Sequence, residues 1–325
     1  MKTVGVDIAK KKFDAALQSE AGEKRYATFD NSVKGYASFV KWLCGEGAQE
    51  AQGCMEATNI YWEALAEYLH DKGYGVSVVN PVRIAGYARS QLQRNKTDKI
   101  DSAVICDYCA TQHPALWTPP TALQKQLRSL ERHRDDLEKS LTQQKNRLGT
   151  CTESWVRDSL QRLIATLEQE IVKVDEQLQS LIDQHSELSG QFELLTSIIS
   201  LGPRTATKIL AEMYDLATYA DSAAAAADAG LSPAKHESGD SVRKKTKLSK
   251  VGKASIRGVL YFPALSAIRF NPFIRQLAQR LRKKGKPEMV IIGAAMRKLL
   301  TLAYGVLKHK QPFDPNYGHP IPDPS

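Results

Sequence analysis

Thr3-Val4-Gly5-Val6-Asp7-Ile8 is a β-branched run with an acid set between two apolar residues, and its reading decides the fold of the first part of the chain. Such a run predicts a strand, and an acid inside an apolar strand needs a partner or a role, because an unpaired carboxylate is expensive to bury. Outward from it, Lys12 to Leu17 alternates again, and Lys24 to Phe29 makes a third stretch after the turn-like Glu20-Ala21-Gly22-Glu23. This pattern predicts three hairpin-linked strands. Asn31 is placed to cap a helix whose apolar positions Tyr36, Phe39, Val40 and Leu43 share one face, with Gly45 and Gly47 marking its end. Gln52 to Glu56 reads as a fourth strand, and Trp62, Leu65, Ala66 and Leu69 as a second amphipathic helix closed by Gly73. Val76 to Val79 is a fifth strand stopped by Asn80-Pro81, and Thr97 to Ala110 predicts a further helix. Three strands, helix, strand, helix, strand, helix is an α/β order with mixed sheet pairing.

Beyond this the pattern changes to heptads: Leu123, Leu127, Leu130, Leu137, Leu141 and Leu148, then Ile164, Leu167, Ile171, Val174, Leu178, Leu181 and Leu188. Two long helices are implied, with Gly149-Thr150 permitting a reversal between them. An antiparallel hairpin and an intermolecular coiled coil both satisfy the pattern. Arg134, Gln144 and His185 fall on core positions and read as register or solvent-edge residues. From Leu194 the chain is a compact helical pattern, with apolar helices around Ile256 to Ile268 and Val290 to Leu307, and a Pro-rich tail after Gln311. The regions are therefore 1–118, 119–192 and 193–325.

Among 325 residues, 45 Lys and Arg stand against 36 Asp and Glu, a formal charge of +9. The excess is local: residues 235–310 hold 19 basic and 3 acidic side chains, so the rest of the chain is at −7. A basic third of this kind is the electrostatic footprint of a polyanion partner. An acid at position 7 precedes any apolar stretch long enough for a signal sequence, so secretion is not expected. Apolar runs such as Met289 to Met296 are too short to span a bilayer. Five cysteines without disulfide-like spacing fit a reducing cytoplasm, and the lone Cys106-Asp107-Tyr108-Cys109 lacks the second pair or His that a zinc site needs.

Four acids are candidates for chemistry. Asp7 lies in the first strand, Glu56 ends the fourth, and Asp98 and Asp101 are three apart on one helix face. Taken singly, the last three are commonplace as helix-start, surface or strand-end residues. Taken together with Asp7 they favour a metal site, since converging carboxylates are neutralised by a pair of divalent cations roughly 4 Å apart, which also clamp the attacking and leaving oxygens of a phosphodiester. All-oxygen ligands suit Mg²⁺ or Mn²⁺.

Gly5-Val6-Asp7-Ile8-Ala9-Lys10, Glu56-Ala57-Thr58 and Arg94-Asn95-Lys96-Thr97-Asp98-Lys99-Ile100-Asp101 together resemble the insertion-sequence 110 family of transposases. The resemblance implies an RNase H-like (RuvC-like) α/β domain, a coiled coil and a mostly helical transposase domain, with Asp7, Glu56, Asp98 and Asp101 as the DEDD metal ligands. Relatives often carry glycine where this chain has Asn59, a residue that suits the same turn chemistry. Lys235-His236-Glu237-Ser238-Gly239-Asp240 resembles the family's Glu-Ser-Gly motif, which makes Ser238 the nucleophile. Arg243, Lys244, Lys245, Lys247 and Lys250 follow it as candidates to hold flanking phosphates. The resemblance further implies donor and target DNA as substrates and a bridge RNA as guide. It also implies dimers that join into a tetramer, with the metal site and the serine supplied by different subunits, no membrane, and a cytoplasmic, nucleoid-associated place in a prokaryote.

Other motifs are weaker. Gly230-Leu231-Ser232-Pro233-Ala234 approximates a hydrolase nucleophile elbow, but Pro233 lacks the N–H that the oxyanion hole requires, so a helix-ending turn with Gly230 at the cap is the reading kept. Ile199-Ser200-Leu201-Gly202-Pro203 resembles a helix-hairpin-helix phosphate turn, with Ile199 and Ser200 where Pro-Gly is usual. Tyr261, Phe262, Phe270 and Phe273 could stack on unpaired bases, but helical spacing reads most of them as core, whereas Arg282-Lys283-Lys284-Gly285-Lys286 reads as a phosphate grip. A metal-dependent junction-resolving nuclease and a non-catalytic nucleic-acid scaffold remain alternatives to the recombinase. His236 is unassigned.

Overall fold

The computed structural model describes residues 2–19, 22–91, 98–234, 237–238, 242–243, 247–249 and 251–317, with backbone alone at 98–99, 234, 237–238, 242–243 and 247. The chain forms two compact units, residues 1–120 and 121–325.

The first unit is built on a five-stranded mixed sheet. Its strands are β1 (Thr3–Ile8), β2 (Lys12–Gln18), β3 (Lys24–Asp30), β4 (Gln52–Glu56) and β5 (Val76–Val79), in the order β3-β2-β1-β4-β5. β1, β2 and β3 pair antiparallel, while β4 runs parallel to β1 and β5 parallel to β4. Strand alternation divides the core between two faces. Val4, Val6, Phe13, Leu17 and Met55 pack on α1 (Val33–Gly45) and α2 (Glu63–Asp71) through Phe39, Leu43, Leu65 and Leu69. On the opposite face Cys54 and Val79 meet Val104, Ile105, Tyr108 and Cys109 of α4 (Asp98–Gln112). Cys106 and Cys109 are thus core thiols.

Two local expectations are corrected here. The cap of α1 is Ser32, whose hydroxyl accepts from the Gly35 N–H at 3.3 Å, and Asn31 does other work. Asn80-Pro81 does end β5, but it also starts a helix, α3 (Pro81–Ser90): the Asn80 side chain accepts from the Val82 N–H at 2.9 Å and proline fills the first turn. Only Ile84 of α3 is buried, so no apolar stripe announces it in the sequence.

In the second unit, α5 (Ala122–Thr150) starts with a reciprocal Thr121–Gln124 capping box and α6 (Ser154–Asp183) with Glu153. The two pack on one another within the chain as an antiparallel hairpin, pinned by Lys145–Glu168 at 2.7 Å and by Arg134, which binds Asp175 and, at 2.6 Å, Glu138. Arg134 is therefore a buried cross-link rather than a solvent-edge residue. His185 does not continue the second helix: α6 ends at Asp183, His185 turns the chain with its ring held 2.9 Å from the Leu181 carbonyl, and Leu188 belongs to α7 (Ser186–Thr196).

The helices that follow are α8 (Pro203–Glu212), α9 (Ser222–Asp228), α10 (Ala254–Phe270), α11 (Pro272–Lys283) and α12 (Glu288–His309). Between α9 and α10 run four two-residue strands, β6 (Pro233–Ala234), β7 (Glu237–Ser238), β8 (Val242–Arg243) and β9 (Lys247–Leu248). α12 is long and apolar enough to cross a membrane by length and composition, more than the short apolar runs suggest. Its Ile291, Ala295, Leu299, Leu300 and Ala303 are buried among the other helices of the unit, a role that accounts for its composition.

Candidate active site

Three of the four candidate carboxylates are described in place. Val6 pairs with Met55 across the parallel β1–β4 ladder, and Asp7 and Glu56 are the next residues along each strand. Thr3 contacts Cys106 of α4 at 3.6 Å, and a Cβ at Gly5 would sit 2.2 Å from the Cys106 nitrogen and 2.3 Å from the Ser102 carbonyl. Only glycine allows the helix backbone to come that close. By alternation Asp7 shares the α4 face with Thr3 and Gly5, and Glu56 shares it with Cys54. α4 therefore runs against the direction of β1. Its beginning, with Asp98 and Asp101, heads toward the strand ends that bear Asp7 and Glu56. Asp7, Glu56 and Asp101 are all half-buried. The Asp98 side chain lies outside the described residues.

The turn after β4 shapes the site. Thr58 donates its hydroxyl to Glu56 Oε1 at 2.6 Å, and Asn59 takes the left-handed conformation, φ 57°, that the turn chemistry of asparagine predicts. Its Oδ1 accepts from the Ile60 N–H at 3.0 Å, and its carbonyl from Trp62 Nε1 at 3.0 Å. Asp14, which sequence reading passed over, is directly paired with Asp7 across β1–β2, and takes the Thr28 hydroxyl at 2.5 Å and Lys12 Nζ at 3.2 Å. The signal was its odd register with Asp7 on an alternating strand.

Among the described residues no three His, Cys, Asp or Glu side chains cluster tightly enough to hold a metal ion. What is present suits one by its chemistry: two half-buried carboxylates at matched positions on neighbouring parallel strands, with a third at the start of α4. An all-oxygen set of this kind fits a hard divalent cation.

Ser238 lies on a hairpin arm. β6 pairs with β9 and β7 with β8, so that Ser238 is opposite Val242 and Glu237 opposite Arg243, with residues 239–241 between them. Ser238 is in the inner of the two described pairs. The base of the arm is well tied: Lys253 N–H donates to the Asp228 carbonyl at 2.8 Å and Ser249 N–H to the Ser232 carbonyl at 2.8 Å. Lys253 and the Tyr219 hydroxyl (2.6 Å) both meet the Asp228 carboxylate, and Arg257 donates to the carbonyls of Ala229 (3.0 Å) and Gly252 (3.2 Å). Burial and the Asp228 charge push the Tyr219 phenol well up. Gly230, φ 67°, closes α9 with its N–H on the Ala227 carbonyl, and Leu231 N–H reaches Ala226, so the elbow-like motif is a helix-ending turn.

Comparison with known proteins decides the family. A DEDD transposase model matches residues 4–154, and a second, described as the transposase IS116/IS110/IS902 family, matches residues 192–279. The pilin gene-inverting proteins of Moraxella bovis and Moraxella lacunata are each 31% identical to this chain over 318 residues, 96% of its length and 97% of theirs. The chain belongs to the insertion-sequence 110 transposase family.

This transposase is a DNA-acting enzyme, and its DEDD domain is of a class that works with divalent cations. Of its candidate phosphate-binding residues, Lys244, Lys245 and Lys250 lie outside the described residues, and Arg243 and Lys247 are described by backbone only, on the return strands of the arm. Arg282 is bidentate to Glu288, at 2.8 and 3.0 Å, so much of its charge is answered within the protein. Lys283 and Lys284 instead line a cleft of about 740 Å³ with Arg280, Gln276 and, from α12, Lys298. Lys298 could not be placed from sequence because it comes from α12, across the turn after α11, whereas Gln276 shares a helix face with Arg280 and Lys283 by its spacing. Phe262 and Phe270 are 75% and 66% exposed, which corrects their reading as core.

In the turn before α8, Ser200 takes φ 77°, the conformation of the glycine it replaces, with its hydroxyl 3.1 Å from that of Ser266. Arg204, in the first turn of α8, is bound to Glu131 and Asp135 of α5. The turn thus serves packing of α8 on the hairpin in this structure.

Proposed function

We propose that this transposase is an RNA-guided DNA recombinase that cuts and rejoins donor and target DNA through a phosphoserine linkage at Ser238. The observation that carries the reading is the matched placement of Asp7 and Glu56 at the ends of two neighbouring parallel strands, on the face toward which the start of α4 brings Asp98 and Asp101. The strand order β3-β2-β1-β4-β5, antiparallel then parallel, supports an RNase H-like (RuvC-like) domain as the frame for that set. Asp7, Glu56, Asp98 and Asp101 would hold Mg²⁺ or Mn²⁺, which when bound supplies positive charge to the phosphodiester oxygens.

Ser238 Oγ forms a bond to phosphorus as the bond from phosphorus to the leaving strand oxygen breaks. The serine proton leaves, and the departing strand end takes one up. Reversal with a different strand end reseals DNA without an external energy source, which attack by water would not allow. The relatives are named for inverting a gene, an outcome that requires joining as well as cutting, and this favours the recombinase over a nuclease. Arg243, Lys244, Lys245, Lys247 and Lys250 on and near the arm, and Arg282, Lys283, Lys284 and Lys286 on α11 and after it, hold nucleic-acid phosphates. A bridge RNA supplies target choice, and dimers pair into a tetramer in which one subunit's serine works with another's carboxylates, in the prokaryotic cytoplasm at the nucleoid.

The test is a denaturing gel of the protein with the RNA flanking its element, Mg²⁺ and a labelled DNA junction. A protease-sensitive protein–DNA adduct in wild type, absent in Ser238→Ala, supports the reading. Free nicked DNA from both proteins replaces it with the nuclease, and unchanged cleavage by Asp7→Asn removes the carboxylates from the chemistry.

A further inference from the structure

Asn31 uses every strong polar contact of its side chain to join two loops that sequence separates. Its Nδ2 donates to the Ala9 carbonyl at 3.1 Å and to the Tyr61 carbonyl at 3.2 Å, while its Oδ1 accepts the Tyr36 hydroxyl at 2.5 Å. Its backbone N–H donates to the Lys11 carbonyl at 2.9 Å, on the same turn as Ala9. Ala9 stands two residues beyond Asp7, and Tyr61 five beyond Glu56. The amide therefore spans from the loop that leaves β1 to the loop that leaves β4, at the end of the sheet where both carboxylates emerge.

That bridge matters because it lies beyond the described pairs of the β1–β4 ladder. The described β1–β4 pairing stops at Val6 and Met55, one residue short of the acids, and parallel strands at this point turn away to different elements, β1 into the β2 hairpin and β4 toward α2. The Asn59 turn and the Thr58 hydroxyl order the β4 side through contacts within residues 56–60. The two carbonyls give the amide one orientation: each can only accept, so the NH₂ group must face them, which leaves Oδ1 to accept the Tyr36 hydroxyl. A lone amide with both protons committed to main-chain carbonyls is a poor candidate for contact with nucleic acid. Its geometry suits the setting of a distance.

We infer that Asn31 is a positioning residue for the carboxylate site, holding the Asp7 and Glu56 loops at the separation a shared divalent cation requires. The inference rests on the metal-site reading above. Mg²⁺ accepts oxygen ligands only near 2.0–2.1 Å in near-octahedral geometry, so loops free to part lose affinity before they lose their fold. Partners that orient metal-bound carboxylates are typically worth about 10–100-fold in affinity or activity. Mn²⁺, which shares the ligand preference, allows binding to be measured directly without turnover.

The experiment is a titration of the full-length protein with Mn²⁺ alone, read by the electron paramagnetic resonance of free ion, for wild type, Asn31→Ala, Asn31→Asp and Asp7→Asn, each with a melting curve. Asn31→Asp keeps an oxygen for Tyr36 but sets a carboxylate against the two carbonyls, so it removes the bridge even where alanine disturbs folding. The expected result is Mn²⁺ binding weakened about tenfold or more in both Asn31 variants. Melting should lie within a few degrees of wild type in at least one of them, and cleavage should return when Mn²⁺ is raised in proportion. Wild-type Mn²⁺ affinity in a folded Asn31 variant, or cleavage that stays lost at saturating Mn²⁺, overturns the inference. Wild-type affinity in Asp7→Asn instead overturns the metal site itself, a separate outcome.

Discussion

Arg204 Nη1 donates to Glu131 Oε1 at 2.6 Å, joining the first turn of α8 to the middle of α5, and Glu131 is completely buried. The same guanidinium reaches Asp135 at 2.7 Å, and Lys208, only 2% exposed, lies 3.6 Å from Glu131 and is bonded to Asp135. These two cations, with Glu131 and Asp135 as their nearest acids and Glu138 and Glu212 at 3.8 and 4.0 Å, form the joint between the helical hairpin and the helices that follow it.

Breaking that joint on one side should be severe. Glu131→Ala leaves Arg204 and Lys208 with Asp135 and the more distant Glu138 (3.8 Å) and Glu212 (4.0 Å), and loss of one partner from a buried set costs about 3–5 kcal/mol. A large fall in the urea midpoint is expected. Replacing Glu131, Arg204 and Lys208 together by Leu or Met should restore most of it, since an apolar set carries no desolvation cost. A triple variant less stable than Glu131→Ala would refute this account.

The joint also sets a pH dependence. Burial pushes the Glu131 carboxyl above its ordinary range, although Arg204 and Lys208 pull the other way. A folded-state value above the unfolded one means the folded chain binds the proton more tightly. The stabilising contribution is then full below the unfolded value of about 4.3 and is lost as pH rises through the folded one. Glu131→Gln should remove this component, so that its melting temperature falls less than that of wild type from about pH 4 upward. Parallel curves would show that Glu131 titrates normally.

Gly5→Ala tests the contact that brings α4 to the site. The added methyl would meet main-chain atoms of Ser102 and Cys106 at 2.3 and 2.2 Å, so the helix must lift from β1. Overpacking of this kind costs about 1–3 kcal/mol. Cleavage should fall by a larger factor than stability alone explains, because Asp101 moves with the helix, while DNA affinity in a gel-shift assay is retained.

The α11–α12 cleft should bind through charge. Lys283→Ala, Lys284→Ala and Lys298→Ala are each expected to lower duplex affinity and to flatten the plot of log affinity against log salt by about 0.9. Arg282→Ala should flatten it less, since Glu288 already answers that guanidinium. Equal slopes for Arg282 and Lys283 variants would mean that the ion pair opens on binding.

Much of the first unit was legible because its signals are local. Val4, Val6 and Ile8 alternate with Thr3, Gly5 and Asp7, and that period of two marks a strand whatever surrounds it. Asn59 was readable as a turn residue for the same reason. α3 was not, since a helix with one buried residue leaves no stripe, and Asn31 was misread because a cap-type residue next to Ser32 can serve either of two roles. Phe262 and Phe270 misled in the opposite direction: helical spacing marks which residues share a face, not whether that face is covered.

By itself the sequence determined the elements, the heptad helices, the basic C-terminal third and the motifs that mark the family, all of which are written in neighbours within a few turns or strand steps. Tertiary structure alone decided what those elements meet. It folded α5 against α6 in the same chain, set Asp14 beside Asp7, carried Lys298 to Lys283, and joined Ala9 to Tyr61 through Asn31. The physical reason is that periodicity fixes which side of an element is apolar, while the choice of partner is a competition among many distant surfaces that only the packing of the whole unit resolves.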